Sequence, residues 1–349
     1  MNVVQVGLDS MYWPVVWAEG LRASATSAPT ADRRKPPGLV ACCDLGVAAE
    51  QVRAEIGMTP AEFAAKYGVP LCSTLVELVR KGHIDAALVS TRNTRMVEVA
   101  AALVDKGIPC YLAKPLAASP ADAWLLADKA AKANVPCTSG ITTRCLPHYQ
   151  AVHKVIRDRR IGPVVSIDVM HQHGSYAPWP PKTWYREPAE GGVPYWLGWY
   201  PLETVRWVAG SPIAVVMAAG RNVTGTVPGE SEVITAAGTT QSGVCWSCRI
   251  YFAAGSGWRF PMHEVEVVGE QGIVRTLTET RIQVFGETGA AEEAVVAPAG
   301  DPVQGELRAW LRSLGGRSVW QPTLKDLAHT VTACEALRRS LQTGRPAYV

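Results

Sequence analysis

Over roughly its first 140 positions the chain alternates short apolar runs with stretches of helical periodicity, and few folds accommodate that rhythm. Val3-Val4-Gln5-Val6-Gly7 reads as a buried strand closed by glycine, and a helical pattern follows from Val15 to Ala23. Leu39 to Cys43 is a second strand ending in Asp44, with a helix expected over Val47–Ile56. Helical patterns at 61–67, 74–81, 94–106 and 119–133 then alternate with strand-like runs near 69–72, 84–91, 108–112 and 135–138. Runs without polar alternation are buried on both faces. Strands that alternate with helices at this spacing form a parallel, doubly wound sheet. Such sheets bind ligands beyond the carboxyl ends of their strands, so the strand ends hold the first candidates for chemistry.

At the first of those ends stands Gly7-Leu8-Asp9-Ser10, which keeps only Gly7 of a GxGxxG turn. Asp9 occupies the place where a second glycine would let backbone approach a pyrophosphate. At the second end, Asp44 has the position in which a carboxylate takes ribose hydroxyls and repels a 2′-phosphate, or else caps the helix that follows. Ser90-Thr91-Arg92-Asn93 offers small polar groups at the fourth end. Tyr111-Leu112-Ala113-Lys114-Pro115 places a lysine just past a strand. Pro115 fixes φ and removes a donor, so the chain must turn there, with Lys114 either in the crevice or solvated in a loop.

Past about residue 145 the texture changes. Gly162 to Met170 alternates as a strand, and runs at 213–219, 232–237, 244–252, 263–268, 273–277 and 281–285 read as antiparallel strands joined by Gly-rich turns. Helices are expected at 199–209 and over Thr323–Gln342. Two domains follow from this, residues 1–120 and 121–349. Trp179, Trp184, Tyr185, Tyr195, Trp196 and Trp199 concentrate six aromatics within 21 positions, as a platform for a sugar ring or as core or interface. His171 and His173 share one face of a strand, and two histidines without a further ligand do not make a metal site.

Composition removes several classes. A net charge of +3 argues against nucleic-acid or membrane-surface binding, and 48% hydrophobic with 19% charged residues argues for a sizeable core. No apolar run reaches membrane-spanning length, and Asp9 and Glu19 interrupt the first 20 residues, so a cytoplasmic protein is expected. The nine scattered cysteines, an odd number, do not suggest a disulfide framework, and Cys245-Trp246-Ser247-Cys248 is a CxxC without a second pair.

The order of elements, with Asp44, Ser90-Thr91-Arg92-Asn93 and Ala113-Lys114-Pro115, resembles the glucose–fructose oxidoreductase/inositol dehydrogenase (Gfo/Idh/MocA) family. The likeness continues through Arg144…Pro147, Ile161-Gly162-Pro163-Val164, Gly191-Gly192, Arg206-Trp207…Gly210, Val267-Val268-Gly269…Gly272 and Thr343-Gly344-Arg345-Pro346. The resemblance implies an N-terminal Rossmann domain and a C-terminal α+β domain on an open, mostly antiparallel sheet. It also implies NAD or NADP as cofactor, sugars or cyclitols as substrates, and dimers or tetramers assembled through that sheet.

The family's Glu-Lys-Pro is Ala113-Lys114-Pro115 here, and its aspartate and histidine four residues apart correspond to Trp196 and Tyr200. Lys114 and Tyr200 are the expected acid–base pair, because a nearby ammonium favours a phenolate whose ordinary pKa is about 10. Gly7, Asp9, Ser10, Asp44, Ser90, Thr91, Asn93 and Lys114 are expected at the cofactor, and Arg144, His171, Trp184, Trp196 and Glu203 at the substrate. Asp44 with no arginine in Leu45-Gly46 selects NAD over NADP. The expected activity is an NAD(H)-dependent oxidoreductase of hydroxylated small molecules. The alternatives are a lyase or hydrolase that uses NAD transiently, or a catalytically silent binding protein of the same fold.

Overall fold

The computed structural model describes residues 1–26, 36–174, 187–225, 227, 229–254, 263–286, 289, 291–297, 300–317 and 320–349. These divide into two compact units: Met1–Gly140 with Val303–Ala328, and the described part of 141–302 with His329–Val349.

The first unit begins with β1 (Asn2–Val6), α1 (Trp13–Thr26), β2 (Gly38–Cys43), α2 (Ala49–Ile56), α3 (Pro60–Tyr67), β3 (Leu71–Cys72) and α4 (Leu75–Arg80). It continues with β4 (Ala86–Val89), α5 (Asn93–Val104), β5 (Cys110–Leu112), α6 (Pro120–Ala133) and β6 (Cys137–Ser139). The strands form one sheet in the order β3-β2-β1-β4-β5-β6, every pair parallel. This order reverses direction between β1 and β4, which defines a ligand crevice at their carboxyl ends. Ala86 to Val89 are fully buried, as the unbroken apolar run requires. Helix starts are set locally: Thr59 and Glu62 make a reciprocal capping box on α3, and Ser119 caps α6 through the Asp122 amide.

The second unit carries α7 (Pro147–Arg157), β7 (Val164–Gly174), α8 (Gly192–Trp196), α9 (Trp199–Ala209), β8 (Ile213–Arg221), β9 (Val233–Thr240) and β10 (Cys245–Ala254). Then come β11 (His263–Gly269), β12 (Gly272–Thr278), β13 (Arg281–Phe285) and β14 (Ala291–Val295). After α10 (Pro302–Arg312), α11 (Leu324–Thr343) and β15 (Ala347–Tyr348) end the chain. Nine strands form a sheet in the order β14-β13-β12-β11-β7-β10-β9-β8-β15, antiparallel except where β7 and β10 run parallel. Along β7 the pleat sorts the faces: Ile167, Val169 and His171 are buried, and α9 packs on this strand. The opposite face carries Asp168, hydrogen-bonded to Ser247, with Arg249, Glu266 and Arg275 around a cavity of about 720 Å³.

The expected boundary at residue 120 is displaced. β6 pairs with β5 through Cys110 and Cys137, so α6 and β6 complete the parallel sheet and the first unit runs to Gly140. Val303–Ala328 also returns to it. Trp310 of α10 packs 5.3 Å from Tyr111, which meets Trp17 edge-on at 5.4 Å. Such ring pairs add about 0.5–1.5 kcal/mol each beyond their burial. Trp320 donates to the Thr138 hydroxyl, which donates to the Pro322 carbonyl. Among the described residues no helix is long and apolar enough to cross a membrane, and all nine cysteines are free thiols.

Candidate functional site

In the first unit the crevice end of the sheet is built by close backbone approach. Gly7 has φ of 78°, and a Cβ there would lie 2.6 Å from the Ser90 carbonyl oxygen, so only glycine closes this turn. Its amide donates to Cys43 and its carbonyl accepts from the Gln5 side chain at 2.9 Å. Ser90 was expected at the cofactor, but its hydroxyl is committed beneath the turn. It accepts from Gln5 at 2.7 Å and donates to the Gly7 carbonyl. Its part is therefore to hold the turn in place.

Asp9 and Ser10 follow, both buried. Burial lifts the Asp9 carboxyl above the ordinary carboxylate range, against a Thr91 hydrogen bond and the charges of Arg95 and Arg92. Ser10 Oγ is buried without a protein partner. Asp44 ends β2 with Oδ1 accepting from the Gly46 amide at 2.9 Å, across a turn in which Leu45 and Gly46 both have positive φ. Arg95 reaches from α5 to the Leu45 carbonyl. Thr91 and Asn93 are buried at the start of α5, and Lys114, 5% exposed, follows the end of β5.

These residues fit an adenine dinucleotide. Gly7 supplies the tight turn, and Ser10 brings an unsatisfied buried hydroxyl to it. Asp44 fixes its own turn through Oδ1 at the end of β2. The Asp9 carboxyl, in the place of a glycine, is opposed by Arg92 and Arg95 from the neighbouring strand end.

In the second unit the polar groups meet on the covered face of the sheet. Antiparallel pairing of β7 with β11 sets His171 directly opposite His263. Their Nδ1 atoms are 2.8 Å apart, and their rings stack at 4.6 Å. Tyr200 of α9 stacks on His171 at 4.7 Å and 26°. Tyr149 of α7 meets His263 edge-on at 6.2 Å, with His148 beside it. Burial, with His148 and His173 nearby, pushes His263 down to about 3; burial also lowers His148 and raises the Tyr149 phenol. Burial thus favours the uncharged forms of His263, His148 and Tyr149. His171 and Tyr200 were expected from sequence, whereas His263 and His148 were not. These histidines come from three elements widely separated in the chain, and no local spacing announces them.

Arg144 and Glu203, both expected at a substrate, are bonded to each other. Glu203 is fully buried, and its Oε1 accepts from Arg144 Nε at 3.1 Å and Arg206 Nη2 at 2.8 Å. Arg144 also lies 5.1 Å from the centre of the Trp207 ring, against which His153 stacks at 4.3 Å. This is a buried ion network that anchors α9 to the segment before α7. Trp196, expected as a stacking face, is 2% exposed in the environment of a core residue. Gly191 explains the chain's entry into α8: its φ is 101°, and a Cβ there would lie 2.5 Å from Tyr195 Cγ. Trp184, like Trp179 and Tyr185, lies outside the described residues. Among the described residues no three His, Cys, Asp or Glu side chains are grouped to hold a metal ion.

Comparison with known proteins bears on both units. A profile described as an oxidoreductase family with an NAD-binding Rossmann fold matches residues 46–141, and one for the GFO/IDH/MocA C-terminal domain matches 149–275. D-apiose dehydrogenase of Paraburkholderia graminis is 24% identical over 286 residues, covering 75% of this chain and 71% of that protein. An oxidoreductase from Agrobacterium radiobacter, solved in complex with NAD+, L-tartaric acid and magnesium, has a TM-score of 0.81 at 18% identity, covering 100% of this chain and 98% of the other. The aldose–aldose oxidoreductase of Caulobacter crescentus, complexed with glycerol, has a TM-score of 0.79 at 17% identity, covering 100% and 99%. At these identities the two structures share the fold.

Proposed function

Because the chain belongs to the Gfo/Idh/MocA oxidoreductase family, whose N-terminal half is an NAD-binding Rossmann fold, we propose that it interconverts a hydroxyl and a carbonyl on a sugar, cyclitol or related small molecule. The observation that carries this reading is the set of strand-end residues Gly7, Asp44 and Lys114 on a sheet ordered β3-β2-β1-β4-β5-β6. Bound NAD supplies the hydride acceptor, and the remaining chemistry belongs to the protein. Gly7, Ser10, Thr91 and Asn93 hold the dinucleotide, and Asp44 selects NAD by taking a ribose hydroxyl and repelling a 2′-phosphate. Lys114 polarises the substrate oxygen, and Tyr200 takes part in moving its proton.

The same reading makes the protein a homo-oligomer assembled through the uncovered face of its nine-stranded sheet, and a resident of the cytoplasm. Trp196 enters this reading only as a core support for α8 and α9.

The decisive experiment has two stages. Native mass spectrometry of the purified protein reports retained cofactor and subunit number. A panel of aldoses, sugar acids and cyclitols with NAD+ is then followed by NADH absorbance. NADH formation from at least one compound is the expected result. Retained cofactor with substrate consumed and no net NADH would assign a non-redox lyase or hydrolase. No cofactor and no turnover would leave a binding protein.

A further inference from the structure

We propose that His171 and His263 form a proton relay that carries the substrate's proton between the reacting oxygen and solvent; the proposal rests on the oxidoreductase reading above. Their juxtaposition is fixed by β-sheet register, His263 lying opposite His171 with Nδ1 atoms 2.8 Å apart. Two imidazoles share such a contact only when one Nδ1 carries a hydrogen and the other is bare. If both rings are neutral, their tautomers must be opposite. The ring donating from Nδ1 has a bare Nε2, and the ring accepting at Nδ1 has a protonated Nε2.

That arrangement has a direction of travel built into it. As the alcohol O–H bond breaks, an N–H bond forms on the bare Nε2 of one ring. The same ring's Nδ1–H breaks and forms on its partner's Nδ1. The partner's Nε2–H then breaks, giving its proton to water. Bound NAD would supply the acceptor for the carbon-bound hydrogen and its electron pair, so the histidine pair handles the proton alone. At the end both rings are neutral with their tautomers exchanged, and the reverse reaction runs through the same bonds.

The surroundings favour a neutral His263. The titratable groups packed on the pair are His148 and Tyr149 from α7 and Tyr200 from α9; His173 from β7 acts electrostatically on His263, and the Glu279 carboxylate acts on His148. Burial holds His148 and His263 uncharged and the Tyr149 phenol protonated. Tyr200, stacked at 4.7 Å on His171 and 6.0 Å from His263, fixes the ring orientations. A buried pair that could not ionise would be a poor base by itself. A pair that exchanges one proton for another avoids that cost.

The test uses the full chain, His263→Phe and His263→Gln. In 15N-edited imidazole NMR, the wild type should show one far-downfield proton bonded to Nδ1 and lost in both variants. With the best substrate from the panel, turnover of His263→Phe should fall about 10²-fold. Its acid limb should shift and added imidazole should restore part of the rate, while the Michaelis constant and NAD affinity stay within about twofold of wild type. Should His263→Phe fail to fold, His263→Gln carries the same kinetic comparison, since it keeps a polar side chain of similar length. Absence of the shared proton in wild type, or a variant whose turnover and pH profile match wild type, overturns the relay. Wild-type protein that makes no NADH from any compound overturns the oxidoreductase reading and the relay with it.

Discussion

The two units place their polar groups by different means. In the first, each candidate stands at or just beyond a strand's carboxyl end: Asp9 and Ser10 after β1, Asp44 after β2, Thr91 and Asn93 after β4, Lys114 after β5. In the second, the candidates stand on a sheet face and on the helix above it: His171 and His263 on neighbouring strands, Tyr200 on α9, His148 on α7. Strand-end chemistry is a matter of local sequence, because the turn that stops a strand also exposes the residue after it. Sheet-face chemistry is a matter of register, and a slip of one residue sends a side chain to the opposite face. The first kind tolerates change in the surrounding sheet; the second depends on the whole sheet being right.

Substitutions can sharpen that contrast. Lys114→Ala should lower turnover about 10²–10⁴-fold with little loss of stability, since it removes from a strand end the acid–base group proposed above. Tyr200→Phe should lower turnover comparably while leaving NAD affinity within about 1 kcal/mol, as expected for a transition-state contribution. Steady-state kinetics with far-ultraviolet circular dichroism separate these outcomes from unfolding. Near-full activity in Tyr200→Phe would confine Tyr200 to orienting the histidine pair that takes the proton. Glu203→Ala should act in the opposite way. It leaves the Arg144 and Arg206 guanidiniums buried without their carboxylate and should cost about 3–5 kcal/mol in urea unfolding. A stable Glu203→Ala with impaired substrate binding would return Glu203 to the substrate.

Asp44→Ala should weaken NAD binding by about 1–3 kcal/mol in calorimetric titration and narrow the preference over NADP. Unchanged affinity would mean that the carboxylate serves only the Gly46 turn. A further effect is on stability in acid. His263, His148 and His153 have pKa values held below the unfolded value of about 6.5, all chiefly by burial. The unfolded chain therefore binds more protons than the folded one below that pH. The stabilisation is complete above about pH 6.5 and is lost as pH falls toward about 3, the folded value for His263. Each histidine so held contributes a slope of about 1.4 kcal/mol per pH unit at most. Thermal midpoints measured from neutral pH downward should decline in that window. In His263→Gln the decline should be shallower.

The elements of the first unit are legible because their signals are local. Gly7 with φ of 78° and the buried run Ala86–Val89 mark a strand and its turn within a few residues. The strands from β8 to β13 also fall where alternation places them, while β14, whose five residues are all exposed, shows no such apolar pattern. Long-range pairing escaped sequence reading. Nothing in the neighbourhood of Glu203 distinguishes a substrate carboxylate from one buried between two arginines. Ser90 at a strand end has the composition of a ligand contact and the geometry of a brace. His263 is invisible as a partner of His171 until β7 and β11 are known to be neighbours in that register.

The return of Val303–Ala328 to the first unit has a consequence for how the protein is made. During synthesis the N-terminal sheet can pair all six strands once Ser139 has emerged, yet Tyr111 and Thr138 still lack Trp310 and Trp320. The ribosome must produce well over a hundred further residues before those tryptophans arrive. Through that interval the nascent unit leaves Tyr111 without its Trp310 cover, and a fragment ended at Gly140 would lack it permanently.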